Sequence, residues 1–127
     1  MPDATWPPAV AAMTLFTEDL PASEDFYRRF LDAEPIHKDA DSCVFRAGPT
    51  LINLLRVEAV DELISPAPMA PPGVRAVYTF PVEDVDAACE RLKGVGIALL
   101  GGPMDRRWGP RTANVQDPSG HVWELAS

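Results

Sequence analysis

A chain of 127 residues, 46% hydrophobic and 24% charged, has room for one domain, or for two half-domains sharing a core, with ordinary globular composition. Its net charge of −8, with 11 basic residues scattered except for Arg106-Arg107, argues against a nucleic-acid surface and suits solubility or cationic ligands. No apolar run approaches the ~20 residues of a membrane span. The start Met1–Pro8 lacks the basic and apolar segments of a signal peptide, so the expected location is the cytoplasm. The two cysteines, Cys43 and Cys89, stand in no metal-type spacing and read as reduced and structural.

In chain order, the apolar run Ala9–Phe16 predicts a strand, and Thr17-Glu18-Asp19-Leu20-Pro21 supplies acidic and proline signals for a helix start. From Ala22 to Leu31, Phe26, Tyr27, Phe30 and Leu31 recur at helical spacing opposite Glu24, Asp25, Arg28 and Arg29, which predicts an amphipathic helix on a sheet. Three short strands follow, at Pro35–Lys38, Ser42–Ala47 and Thr50–Val57, separated by turn chemistry at Asp39-Ala40-Asp41 and Gly48-Pro49. Glu58–Ile64 reads as a short helix.

Ser65–Gly73 holds four prolines in nine residues and predicts a linker between modules 1–64 and 74–127. Beyond it, Val74–Val82 predicts a strand, Val85–Lys93 a helix ending at Gly94 or Gly96, and Ile97–Leu100 a strand closed by Gly101-Gly102-Pro103. Thr112–Gln116 and Val122–Ala126 are strands around the turn Asp117-Pro118-Ser119-Gly120. Both halves read βαβββ. They also share sequence, Glu18-Asp19-Leu20-Pro21-Ala22 against Glu83-Asp84-Val85-Asp86-Ala87, 65 residues apart, as an internal duplication would leave. In each, an acidic residue stands where it can cap a helix start.

The first half's Glu18-Asp19-Leu20, Phe26-Tyr27 and Phe30-Leu31, with Trp108-Gly109 and Asp117-Pro118-Ser119-Gly120-His121-Val122-Trp123-Glu124-Leu125 in the second, resemble the vicinal-oxygen-chelate superfamily. This is the glyoxalase, bleomycin-resistance and extradiol-dioxygenase group. The likeness runs from Val10 nearly to the end of the chain. It implies an α+β fold of two βαβββ modules whose curved mixed sheets surround a cavity, and it implies a homodimer. In some members the first strand is exchanged between subunits, and Pro7-Pro8 is placed to act as a hinge or to blunt a strand edge.

The resemblance also implies four metal ligands, which fall here on Ala12, Asn53, Val77 and Glu124. Two of these have no donor atom, so the expectation is a lost metal site and no cofactor. His37 and His121 read as polar fillers. No Ser-His-Asp order, Cys-His pair or phosphate loop appears, and no catalytic residue is assigned.

What remains is a cavity. Strand alternation directs Thr14 and Phe16 inward with Ala12, Leu51 and Leu55 with Asn53, Thr79 with Val77, and Val122 with Glu124. Trp108 is expected to close over a ligand and Phe45 to supply a wall, while Trp123 packs under the helices. The expected activity is metal-independent binding of a small aromatic or cationic molecule, in the manner of bleomycin-resistance proteins. The alternative is a lyase or isomerase with a non-standard or absent metal site.

Overall fold

The computed structural model describes residues 6–127, so the first five residues, including most of the segment that argues against a signal peptide, lie outside it. The first module runs β1 (Ala12–Thr17), α1 (Leu20–Leu31), β2 (His37–Lys38), β3 (Ser42–Ala47) and β4 (Thr50–Arg56), then a 3-10 turn at Val57–Ala59 and α2 (Val60–Ile64). The second runs β5 (Val77–Pro81), α3 (Val85–Gly94), β6 (Gly101–Asp105), β7 (Arg111–Gln116) and β8 (Val122–Ala126). Each module is an open four-stranded mixed sheet, ordered β1-β4-β3-β2 and β5-β8-β7-β6, with one parallel ladder at its edge. β1 pairs with β4 of its own chain.

The two helix starts are built alike. Asp19 accepts a hydrogen bond from the Ala22 N–H and Asp84 one from the Ala87 N–H, both at 3.0 Å, so each carboxylate satisfies a donor that the first turn leaves free. α1 buries Phe26, Tyr27 and Phe30, while Arg28 and Arg29 on its other face pair with Glu24 and Asp25 one turn earlier. The helix ends at Asp32, whose left-handed backbone (φ 51°) lets its N–H reach the Arg28 carbonyl.

One core runs through both modules. Tyr27 and Phe30 of α1 meet Phe45 of β3 on one side and Phe80 and Trp123 of the second sheet on the other, and Phe80 stacks on Trp123 at 4.8 Å. Trp123, 1% exposed, packs where the alternation of β8 predicts. Polar groups close the same junction. Arg91 of α3 donates to the Arg29 and Phe30 carbonyls at the end of α1, and Arg29 returns a bond to the Val95 carbonyl at 2.9 Å.

The second strand is shorter than expected, His37–Lys38 instead of Pro35–Lys38, and larger differences from the sequence reading fall on β1, β5 and β6. β1 and β5 are shorter than their apolar runs, because residues 9–11 and 74–76 are exposed and lie outside the strand ladders. The sixth strand is displaced: it lies on Gly101–Asp105, not on Ile97–Leu100. Ile97 is spent on the core, and the Gly-Gly-Pro sequence that reads as a stop is an irregular strand, its register shifting between Gly101 and Met104. Gly102 requires its own type, since a Cβ there would stand 2.6 Å from the Thr112 carbonyl oxygen and φ is +83°.

Candidate functional site on the open sheet faces

Along β1 and β4 the buried residues alternate: Leu15, Thr17, Ile52 and Leu54 face the helices, and Thr14, Phe16, Asn53 and Leu55 face away. The parallel ladder sets Thr14 beside Asn53, and the Asn53 amide nitrogen donates to Thr14 Oγ1 at 3.4 Å. The second sheet repeats the arrangement. Thr79 lies beside Glu124 and donates to its Oε1 at 2.8 Å, with Asn114 of β7 on the far side of Glu124. Thr14 and Thr79 are 65 residues apart, the spacing of the two capping aspartates.

Ala12 stands opposite Leu51 and Val77 opposite Val122, and the residues laterally opposite Asn53 and Glu124 are the two threonines. The donor set is therefore two hydroxyls, one amide and one carboxylate, already hydrogen-bonded in pairs. It does not fit a catalytic divalent metal, which takes about three imidazole, thiolate or carboxylate ligands from the protein. Among the described residues no three His, Cys, Asp or Glu side chains are grouped to hold a metal ion.

The largest consequence for binding lies on the first sheet. A cavity of about 480 Å³ is lined by Asp39, Asp41, Ser42, Asn53, Leu55, Ala59, Glu62 and Leu63. Its floor is Leu55 and Asn53 and its rim is acidic. Asp39 Oδ1 accepts the Asp41 and Ser42 N–H groups at 2.9 Å, and His37 approaches its other oxygen. The backbone donor of Asp41, then His37, holds this carboxyl below its ordinary range, so it stays ionised. Asp41 shares Arg56 at 2.7 Å, whereas Glu62 has no ion pair among the described residues. Asn53 Oδ1 is buried and has no hydrogen-bond partner. An amide carries a donor end and an acceptor end, so whichever end Thr14 takes, the other is left without a partner.

Of the residues expected to contact a ligand, Asn53 and Leu55 line this cavity and Thr14 is hydrogen-bonded to Asn53. Phe16 lines a smaller cavity of about 210 Å³ under linker residues 69–76, and Thr79 one of about 340 Å³ between β1 and β5. Glu124 is half-buried beside Thr79, and Val122 is buried, 5% exposed, behind it. Two placements differ from expectation. Phe45 is 0% exposed in the core, because it pairs with the core-facing Ile52; its strand turns Val44 toward the open face instead. Trp108 lines none of the cavities described among residues 6–127: it stands 64% exposed on the β6–β7 turn.

Asp39, Asp41 and Glu62 were missed as site residues. The first two read as turn formers, which they also are, and only their distance from Asn53 across the sheet makes them a rim. His121 Nε2 donates to the Phe16 carbonyl at 2.8 Å, and Cys43 and Cys89 are buried and unpaired.

Two open βαβββ sheets with paired polar residues at equivalent ladder positions define a duplicated α+β fold. The model of the Glyoxalase/Bleomycin resistance protein/Dioxygenase superfamily matches residues 9–125, and the chain belongs to that family. A Mycobacterium bovis protein described as uncharacterised is 26% identical over 118 residues, covering 87% of this chain and 78% of its own. The crystal structure of a glyoxalase-related enzyme from Fulvimarina pelagi is 28% identical with a TM-score of 0.79, over 92% of this chain and 86% of that one. A glyoxalase/bleomycin resistance/dioxygenase protein from Nocardioides, at 24% identity, has a TM-score of 0.81 over 94% and 82%. No helix among the described residues is long and apolar enough to cross a membrane.

Proposed function

We propose that this protein binds a small cationic molecule on the open face of its first sheet, without a metal and without transforming it. The observation that carries the reading is the unpartnered amide oxygen of Asn53, a residue at the floor of a cavity rimmed by Asp39, Asp41 and Glu62. A buried amide end without a partner costs about 1–3 kcal/mol, which a ligand N–H or hydroxyl recovers, and the acidic rim selects for positive charge. Leu55 and Leu63 accept the apolar body of such a ligand. Sequestration of a cationic antibiotic, in the manner that the family's name records for bleomycin resistance, is the biological role consistent with this chemistry; the link to a particular drug is by fold alone.

A thermal-shift screen of the metal-free protein against divalent metals and a panel of cationic, aromatic and peptide antibiotics, bleomycin included, tests it. A ligand at ~100 times its dissociation constant adds about 2.7 kcal/mol of stability. Stabilisation by cations without metal supports binding; stabilisation by Zn, Ni, Mn or Fe alone sinks the metal-independent reading.

Glu124 favours a second reading, an enzyme in which this carboxylate removes a proton from substrate on the second sheet, poised by the Thr79 hydroxyl. Turnover of a candidate substrate that is lost in Glu124→Gln and retained in Asn53→Leu distinguishes it from the first.

A further inference from the structure

The cavity of about 210 Å³ under the linker lies where the end of β1 meets the start of β5, and it shares no lining residue with the cavity on the first sheet. One wall is fixed by hydrogen bonds between the modules: Ser119 Oγ meets Thr17 Oγ1 at 2.8 Å, and His121 Nε2 donates to the Phe16 carbonyl at 2.8 Å. The other wall is the linker itself, where Pro71 and Pro72 have their φ angles locked by the ring, so that little chain entropy is lost when a ligand settles against them. Phe16, Met69 and Val74 give the space an apolar side. Glu18 and Arg75 stand in the same lining. Among the described residues neither forms an ion pair or a side-chain hydrogen bond, with the other or with any third group.

We propose that this cavity is a second ligand site, for a small zwitterion of the α-amino-acid class with an uncharged, apolar side chain. Charge selects the class. Two opposite charges that line one cavity without reaching each other are both compensated by a ligand that carries an ammonium and a carboxylate on one carbon. Glu18 accepts from the ammonium and Arg75 donates to the carboxylate, whose two oxygens match the guanidinium fork. A ligand with a single charge compensates only one of them. Size narrows the class further: 210 Å³, at the ~30 Å³ that a water takes up in the liquid, holds about seven groups of that size, the scale of alanine to leucine. Drug-sized ligands need roughly 300–1,000 Å³, so the antibiotic class is left to the first sheet. The apolar side formed by Phe16, Met69 and Val74 receives the ligand's side chain. None of this depends on what the first sheet binds.

The experiment is calorimetric titration of the full chain with L-alanine, L-valine, L-leucine and L-methionine, each taken to about 10 mM. Isocaproate and isopentylamine, which keep one charge of leucine each, are titrated beside them. Glu18 and Arg75 are exposed, so Glu18→Gln and Arg75→Gln are expected to melt with the parent, which confirms their folding. The expected result is that at least one of the four amino acids binds, one per chain, and that its affinity falls at least about tenfold in each variant. Isocaproate and isopentylamine are expected to bind the parent at least about tenfold more weakly than leucine does, and Asn53→Leu to bind the amino acid as the parent does. Absence of binding by all four amino acids overturns the proposal. So does an affinity indifferent to both substitutions, or a singly charged analogue that binds as well as leucine. Binding that is lost in Asn53→Leu and kept in Glu18→Gln and Arg75→Gln overturns it too, because the ligand then sits on the first sheet.

Discussion

Tyr27 donates its phenolic hydrogen to Asp117 Oδ2 at 2.6 Å, across 90 residues of chain and from one module to the other. The same hydroxyl accepts the Trp123 indole N–H at 2.8 Å, and Asp117 Oδ1 accepts the Ser119 and His121 N–H groups at 2.9 Å. Tyr27 is 0% and Asp117 5% exposed, so one buried network fixes the last turn of the second module on the first helix of the first. Burial, reinforced by the adjacent Asp117 carboxylate, pushes the Tyr27 hydroxyl far up and keeps it a donor at every physiological pH.

Tyr27→Phe keeps the ring and removes both bonds, leaving a carboxylate oxygen and an indole N–H unpaired in the core. The expected cost is about 2–4 kcal/mol, read as a lower urea midpoint at unchanged slope. A loss below about 0.5 kcal/mol would mean that water replaces the hydroxyl and that the network is not what joins the modules.

Asn53→Leu separates stability from function. It removes the unpartnered amide oxygen and fills the cavity floor with an apolar group, so the variant is expected to unfold at the same or a higher temperature than the parent while losing cation affinity. A variant that is less stable by ~1 kcal/mol or more would show instead that the Thr14 bond outweighs the orphaned end.

Glu24 supplies a pH dependence. The Arg28 guanidinium beside it, with Lys38, holds its carboxyl below the ordinary value despite partial burial. A carboxyl whose folded pKa is depressed contributes stability that is present above its unfolded pKa and is lost as pH falls through the folded one. Glu24→Gln is therefore expected to melt below the parent at pH 7, with the difference shrinking once the pH drops beneath the usual carboxylate range. A difference that is constant with pH would assign the effect to packing.

The thiols are expected to be inert in the native state. Cys43 is 0% exposed, and burial pushes its thiol up to about 11; Cys89 is raised by the same cause. Labelling with a thiol-specific disulfide reagent is predicted to be slow in buffer and complete in denaturant, the slow rate following unfolding. Rapid native labelling of one equivalent would place a thiol at the surface.

The sequence carried the fold further than the site. Hydrophobic period, capping aspartates and proline punctuation act locally, so α1, α3 and the duplicated βαβββ order are legible from neighbouring residues. β6 was misplaced because Gly101-Gly102-Pro103 is turn chemistry everywhere except where a strand must hug β7 too closely for a Cβ. Site residues depend on register, which is a relation between strands. The faces of Thr79 and Glu124 follow from alternation within β5 and β8, but their standing side by side is fixed only by the parallel ladder. Phe45 illustrates the same limit, since its face is dictated by Ile52 on the neighbouring strand. The acidic rim lies further still from local legibility: Asp39 and Asp41 on one turn and Glu62 on α2 become one surface only after folding.

The central claim is that the first sheet's cavity binds a cation through Asn53 and its acidic rim with no metal present. Calorimetric titration of the metal-free parent, Asn53→Leu and Glu62→Gln with the most stabilising cation of the screen tests it directly. One ligand is expected to bind per chain of the parent, with an affinity at least about tenfold lower in both variants, since ~1.4 kcal/mol is at stake in each lost contact. Equal affinity in all three proteins, or binding that appears only when a divalent metal is added, would contradict it.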